Sequence, residues 1–210
     1  MDKKQLLNWL KSYLTDGKTH VIRIFGHGAS GKSTLSKDLV NKLNPSHVNL
    51  LETDPYILDS KLRQLVRPVD FPEQKITANM PCAHELASLT RDITALKNGI
   101  DILTIDQPWA PSIILEAKKP ILIAERMSSA FVKAELFDLS IACFTDSETE
   151  LRRRLKRDTS QRGRDKEFVH QSHSIRRQQY QTYFENQLAH ADIIIDQSKN
   201  SFTAHFRTIK

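Results

Sequence analysis

Cysteine is scarce in this sequence and long apolar runs are lacking, and each absence excludes a class of protein. Only Cys82 and Cys143 occur among the 210 residues, far apart and outside any CxxC pair. This argues against a zinc site or a disulfide framework and indicates buried or incidental thiols in a reducing compartment. No stretch approaches the roughly 18 apolar residues that span a bilayer, and the N-terminus does not have the pattern of a signal peptide. We therefore expect a cytoplasmic protein with no membrane partner.

Positive charge is concentrated in one short segment. The net charge is +6, and residues 151–166 hold eight basic side chains against two acidic ones, so the rest of the chain is neutral. A nucleic-acid-binding surface usually spreads its basic residues along many phosphates, whereas one compact cluster suits a compact polyanion. A solvated helix face is the alternative interpretation of such a run. The distribution argues against a nucleic-acid partner.

Hydrophobic periodicity predicts alternating helices and strands. Helices are expected at about residues 4–14, 32–43, 83–97, 128–137, 147–157 and 165–189. Strands are expected at 21–25, 48–51, 100–105, 121–124, 139–144 and 193–195. Apolar strands that alternate with helices predict a three-layer α/β/α fold with a five-stranded parallel sheet. We expect one domain over residues 1–210, with residues 1–19 as an N-terminal helical extension packed against its outside.

The most specific motif is the P-loop pattern GxxxxGK[ST] at residues 26–33. Its glycines let the backbone curl so that several N–H groups point at one phosphate chain, and the following helix adds the positive end of its dipole. Lys32 would reach the β- and γ-phosphates, and the Ser33 hydroxyl would bind Mg²⁺. The predicted ATP-binding residues are Gly26, Gly28, Ala29, Ser30, Gly31, Lys32, Ser33 and Thr34.

ATP binding alone does not define the reaction. The guanine-reading NKxD motif and an LSGGQ-like segment are missing from the sequence, which argues against a GTPase or a transporter ATPase. A small kinase needs a carboxylate near the acceptor hydroxyl and an acid for Mg²⁺. Asp54 follows a predicted strand at the P-loop edge and is the candidate base, although Asp before Pro is also a turn former. Glu125 and Asp106 both end apolar runs, and either one would hold Mg²⁺ or simply cap its strand.

The basic segment supplies the cations that a phosphoryl transfer requires. We interpret about residues 151–166 as an arginine-rich lid in which Gly163 permits closure. Closure would exclude water and bring guanidinium groups to the developing charge. The arginines assigned to this role are Arg154, Arg157, Arg162 and Arg164.

These motifs resemble those of the uridine kinase and phosphoribulokinase group of P-loop kinases. The resemblance covers about residues 20–196 and rests on GASGKST at 28–34, RRLKRDTSQRGRD at 153–165 and ADIII at 191–195. It implies that Asp54 is the catalytic aspartate and that Glu125 is the Glu of the family's EG segment. It implies the same roles for the lid arginines, and it leaves room for a homo-oligomer.

The acceptor side departs from the family pattern. Tyr56 follows Pro55 where the family has an aromatic pair, Asn79 stands at the place of a ribose-binding Asp, and Arg126 replaces the glycine after Glu125. Losing a diol-binding carboxylate argues against a conventional uridine or cytidine pocket. The predicted substrate-binding residues are Tyr56, Asn79 and His84, and for His84 ordinary packing is the alternative interpretation.

The sequence therefore predicts a kinase that uses ATP and Mg²⁺ to phosphorylate a hydroxyl of a small molecule. The predicted acceptor is a nucleoside, a sugar or sugar phosphate, or a vitamin-like alcohol. A second interpretation is an ATP-binding regulatory protein that has lost catalysis, which the altered acceptor side favours and Asp54 and the arginine lid disfavour. A third, a polynucleotide 5′-hydroxyl kinase, is disfavoured by the neutral charge outside the lid.

Overall fold

The computed structural model describes residues 1–207 and has a central six-stranded sheet between two layers of helices. The strands are β1 (His20–Gly26), β2 (Val48–Glu52), β3 (Ile102–Leu103), β4 (Ile114–Leu115), β5 (Ile121–Glu125), β6 (Leu139–Phe144), β7 (Ile193–Asp196) and β8 (Thr203–Phe206). The helices are α1 (Lys3–Leu14), α2 (Lys32–Lys42), α3 (Ser60–Arg63), α4 (Leu86–Lys97), α5 (Ser147–Arg162) and α6 (Lys166–Gln179).

The strand order in the main sheet is β2-β5-β1-β6-β7-β8. The first five strands run parallel, and β8 pairs antiparallel with β7. The predicted α/β/α architecture with five parallel strands is confirmed, and the sheet carries a sixth, antiparallel strand that the sequence analysis did not include. Within residues 1–207 no helix is both long and apolar enough to cross a membrane.

Alternate residues of β1 face the two helical layers. Ile22 and Ile24 belong to a core cluster that also contains apolar residues of α1 and α2. Val21 lies in a second cluster with residues of α4, and Phe25 lies in a third with Tyr180 just after α6. Every residue of β1 is buried. A strand covered on both faces is apolar at most positions, which is why the sequence indicated β1 clearly, although the buried Arg23 also belongs to it.

The N-terminal helix packs on the layer that contains α2. Asp2 caps α1 by accepting a hydrogen bond from the Gln5 amide, and the Gln5 side chain bonds back to the Asp2 amide. Trp9 packs edge-on against Phe206 of β8, with ring centroids 4.9 Å apart. The Met1 amino group donates to the Ala204 carbonyl at 3.1 Å. Helix α1 thus covers the edge of the sheet where β8 ends the strand order.

Two predicted elements are wrong. The run at 100–105 is no strand of the main sheet, because Ile102–Leu103 pairs with β4 in a separate antiparallel hairpin. Leu103 is 63% exposed, which a central parallel strand would not allow. Residues 128–137 form short 3₁₀ turns in place of an α-helix. Ser128 and Ser129 donate side-chain hydrogen bonds to backbone carbonyls there, a known alternative to helical bonding.

The helices around the predicted lid differ from their expected bounds. Helix α5 was expected to end at about residue 157 and continues to Arg162, where Gly163 takes a left-handed conformation with φ 58° and ends it. Asp165 caps α6 through the amides of Glu167 and Phe168. The helix expected over 165–189 ends at Gln179 and is followed by a π-helical turn and a 3₁₀ segment. Most of residues 151–166 are therefore regular helix.

Candidate active site

The loop between β1 and α2 lies at the carboxyl edge of the parallel strands. Gly26 has φ 152°, and a Cβ there would overlap the carbonyl oxygen of Cys143, so only glycine fits. Gly31, with φ 92°, is the N-cap of α2, and no side chain caps this helix. The first amide groups of α2 remain available to an anion, which is the arrangement that binds phosphate at a helix N-terminus. Gly28 and Ala29 lie half-buried between these points, and Thr34 is exposed.

Lys32 is held inside this loop. Its Nζ atom donates a hydrogen bond to the His27 carbonyl at 3.1 Å, and the side chain is buried. Burial lowers the pKa of Lys32, while the nearby charges of Glu125 and Asp54 act in the opposite direction. The Ser30 hydroxyl is buried and makes no hydrogen bond within residues 1–207. A bound phosphate chain would give the Ser30 hydroxyl a partner.

Ser33 and Glu125 form the arrangement expected of a metal site. The Ser33 hydroxyl donates to Oε1 of Glu125 at 3.0 Å. Glu125 ends β5, is fully buried, and its Oε2 makes no well-aligned hydrogen bond with any described residue. Desolvation raises the pKa of Glu125, and the charges of Arg126 and Lys32 oppose that rise. A hydroxyl and a carboxylate are ligands that suit Mg²⁺.

The other candidate acid lies elsewhere. Oδ1 of Asp106 accepts a hydrogen bond from the Ser112 amide in the connection between β3 and β4. Within residues 1–207, Asp106 makes no ion pair or hydrogen bond with the P-loop. The structure thus brings Glu125, and not Asp106, to Ser33.

Asp54 lies at the same edge of the sheet as Glu125. Strands β2 and β5 pair in parallel so that Glu52 is opposite Glu125, and Asp54 follows two residues after the end of β2. The Asp54 side chain is 42% exposed. A carboxylate in this place is accessible to a small molecule that approaches the P-loop from solvent.

Arg126 is a site residue that the sequence analysis did not assign. Its guanidinium lies 2.9 Å from Oε2 of Glu125, 3.3 Å from Oδ2 of Asp54 and 3.1 Å from Oε1 of Glu52. Burial and these carboxylates act in opposite directions on the pKa of Arg126, and the carboxylates prevail and raise it. The signal in the sequence was the replacement of the family's glycine at this position.

The structure separates the four lid arginines by their surroundings. Three of them gather at Asp158, which accepts a hydrogen bond from Arg157 at 2.7 Å and lies 3.5 Å from Arg162 and 3.8 Å from Arg154. Arg154 is buried, whereas Arg162 is 59% exposed. Arg164 lies over the ring of Phe168, 5.2 Å from its centroid. Arg162 and Arg164 are therefore exposed to solvent, whereas Arg154 is enclosed by the fold.

A buried ionic network joins the P-loop to α5 and α6, and the sequence analysis missed it. Glu150 of α5 lies 3.2 Å from Nδ1 of His27, 3.3 Å from Arg177 and 3.8 Å from both Arg154 and His173. Desolvation would raise the pKa of Glu150, but the hydrogen bond and charge of His27, with the other cations, lower it. Only the pair of Glu150 and Arg154 has a local spacing, four residues on one helix, whereas His27 is 123 positions before Glu150 and Arg177 is 27 after it.

The three predicted acceptor-side residues are all buried and bonded within the protein. Tyr56 donates its hydroxyl to Asp92 at 2.6 Å. Asn79 donates to the Arg176 carbonyl at 2.9 Å. Nε2 of His84 lies 2.9 Å from the Ala78 carbonyl, which can only accept, so this nitrogen carries the proton. These three side chains therefore hold their own segments in place through hydrogen bonds inside the protein.

The chain is similar to known kinases over nearly its whole length. The family model described as "Phosphoribulokinase / Uridine kinase family" matches residues 21–204. A uridine kinase of Staphylococcus aureus is 30% identical over an alignment of 195 residues that covers 89% of this chain and 91% of that protein.

Solved kinase structures share the fold. A D-glycerate 3-kinase from Cryptococcus neoformans superposes with a TM-score of 0.66 at 12% identity, covering 98% of this chain and 99% of that one. The phosphoribulokinase from Rhodobacter spheroides gives 0.62 at 18% identity, covering 85% and 70%. The P-loop geometry, the family match and these likenesses agree, and the chain belongs to the phosphoribulokinase and uridine kinase family.

Proposed function

We propose that this protein is a cytoplasmic kinase that transfers the γ-phosphoryl group of ATP to a hydroxyl of a small molecule. The observation that carries the proposal is the placement of an accessible carboxylate, Asp54, on the same sheet edge as Lys32 and the Ser33–Glu125 pair. A phosphate-binding loop without a nearby accessible carboxylate would support ATP binding alone.

Each group has a part in an in-line transfer. The free amides of the P-loop and Lys32 bind the phosphate chain, and Glu125 with Ser33 would hold Mg²⁺. When bound, Mg²⁺ would supply positive charge to the phosphate chain. Asp54 accepts the proton of the attacking hydroxyl. Arg162 and Arg164 stabilise the charge on the transferred group when α5 and α6 approach the nucleotide.

The acceptor class remains broader than uridine. The Staphylococcus aureus relative is named a uridine kinase, whereas the fold neighbours include a phosphoribulokinase and a D-glycerate 3-kinase. Asn79 cannot serve as a diol-binding carboxylate, and its amide is bonded to the Arg176 carbonyl. The compounds to be tested as acceptors therefore include nucleosides, sugars and their phosphates, small hydroxy acids and vitamin-like alcohols.

The test measures ADP release with Mg²⁺ and ATP against this panel. We expect one acceptor class to stimulate release, Lys32→Ala to weaken ATP binding, and Asp54→Asn to abolish stimulation while an ATP analogue still binds. Mass spectrometry of the product would show one added phosphoryl group on the acceptor. Stimulated transfer that survives in Asp54→Asn would contradict the assignment of the base.

A second candidate is an ATP-binding regulatory protein without catalysis. The observation in its favour is the ion pairing of Arg126 with both Asp54 and Glu125, which neutralises the two acids that a kinase would use. Tight ATP binding with no stimulation by any acceptor, in the wild type and in Arg126→Gly alike, would favour this second function.

A further inference from the structure

Arg126 has a backbone conformation that favours glycine. Its φ is 103° and its ψ is −174°, a region that residues with a Cβ rarely occupy. The backbone is held there by the sheet, since the Arg126 amide donates to the Ile24 carbonyl at 3.2 Å. A residue with a Cβ therefore strains the backbone at this position, whereas glycine would adopt the same φ and ψ without strain.

The guanidinium is the cation that brings three carboxylates together. Its three nitrogens lie within 3.3 Å of Glu52, Asp54 and Glu125, one nitrogen to each. Among residues 1–207, no other basic side chain comes within 4.0 Å of the carboxylates of Asp54 or Glu125. Lys32 is nearby, but its ammonium is bonded to the His27 carbonyl.

The contact with Glu125 is close but poorly aligned. Nε of Arg126 and Oε2 of Glu125 are 2.9 Å apart, yet neither atom makes a hydrogen bond of good geometry within the described residues. The other oxygen of Glu125 accepts from Ser33, the hydroxyl assigned to the metal. A metal ion between Ser33 and Glu125 would therefore sit beside a guanidinium, and like charges at such distances repel strongly in a partly buried site.

We propose that Arg126 is a positioning residue, a tethered cation that holds Asp54 and Glu125 before the nucleotide binds and competes with Mg²⁺ for Glu125. The inference rests on the proposed roles of Glu125 and Asp54. It predicts that metal binds this protein weakly until the phosphates of ATP add negative charge. Metal and nucleotide would then enter together and displace the guanidinium from Glu125.

Metal binding tests this without any need for turnover. Mn²⁺, used in place of Mg²⁺, is titrated into the full-length protein first alone and then with a non-hydrolysable ATP analogue, and free Mn²⁺ is followed by its paramagnetic resonance signal, with the Mn²⁺ bound by the analogue alone subtracted. Without nucleotide, we expect Arg126→Gly to bind Mn²⁺ about tenfold more tightly than wild type, because a competing unit charge is removed. Arg126→Lys, which keeps the charge, should stay within about threefold of wild type. Arg126→Gln, which keeps a bulky side chain without its charge, should bind Mn²⁺ as tightly as Arg126→Gly. It provides the same test in a variant that keeps the bulk of the side chain.

The matched variant Glu125→Gln separates this inference from the proposed function. It should weaken Mn²⁺ binding, and in its background Arg126→Gly should have little further effect. If Glu125→Gln leaves Mn²⁺ binding unchanged, the metal assignment fails and this inference fails with it. If Glu125→Gln weakens binding but Arg126→Gly and Arg126→Gln leave it unchanged or weaken it, the role of Arg126 alone is overturned.

Discussion

Ser33 donates a hydrogen bond to Oε1 of Glu125 at 3.0 Å, although the two residues are 92 positions apart in the chain. The bond connects the first turn of α2 to the end of β5. Parallel pairing produces it, because β1 and β5 lie side by side with Ile24 opposite Glu125, and α2 begins shortly after β1 ends. The carboxyl ends of neighbouring parallel strands thus bring a hydroxyl and a buried acid together.

We expect Ser33→Ala to reduce metal affinity by about tenfold or more, because one ligand of the proposed Mg²⁺ site is lost. The Mg²⁺ concentration that gives half-maximal ADP release would measure it. Asp106→Asn is the matched control, since Asp106 lies in the connection between β3 and β4 and should leave this concentration unchanged. Equal effects of the two substitutions would contradict the assignment of the site to Ser33 and Glu125.

The lid arginines should divide into two groups. Arg162 is exposed, so Arg162→Ala should lower kcat by about 100-fold through lost stabilisation of charge, with the free energy of unfolding changed by less than about 0.5 kcal/mol. Arg154 is buried among Glu150, Asp158 and Ser172. Arg154→Ala should destabilise the fold by about 3 kcal/mol, because buried carboxylates lose their partner. Urea denaturation and steady-state kinetics on both variants would distinguish the groups, and a stable, fully active Arg162→Ala would remove it from the proposed machinery.

Glu150→Gln should affect stability and nucleotide binding together. It removes the charge that pairs His27 of the P-loop with Arg177 of α6, so buried cations lose their partner at a cost of about 3 kcal/mol. The pKa of Glu150 is lowered in the folded protein, so its contribution is present above the usual carboxyl pKa and is lost as the pH falls through the folded value. The difference in free energy of unfolding between wild type and Glu150→Gln, measured by urea denaturation, should therefore become smaller as the pH is lowered. Glu148→Gln, at an exposed position on the same helix, is the control.

His84 should make the protein less stable as the pH falls from about 6.5 to 4. Burial lowers the pKa of His84 to about 4, against an ordinary value of 6.5. Between these values the unfolded chain binds a proton that the folded protein does not, so the free energy of unfolding falls by about 1.4 kcal/mol per pH unit. Urea denaturation across this range should show this slope in wild type and a smaller one in His84→Gln. Identical slopes would show that His84 is not held neutral by the fold.

The elements with strong, uniform burial were predictable from the sequence. Strand β1 is buried throughout because both its faces are covered, and its apolar residues together with the P-loop glycines indicated the strand and the turn that follows it. The Ile102–Leu103 run was misassigned because a short apolar run in a hairpin looks the same as one in a central strand. The serine-rich segment after Glu125 failed to form a helix because its hydroxyls bond to backbone carbonyls that are distant or non-helical. Such competition is not visible in periodicity.

The sequence by itself determined the phosphate-binding loop, the candidate base Asp54 and the two candidate metal acids, because each depends on local patterns next to a strand end. Only the tertiary structure decided that Glu125 and not Asp106 meets Ser33, that Arg154 is buried while Arg162 is exposed, and that Arg126 binds the carboxylates on either side of it. These outcomes depend on which strands are neighbours and on how helices pack. Both are set by contacts between residues far apart in the chain, and no local spacing records them.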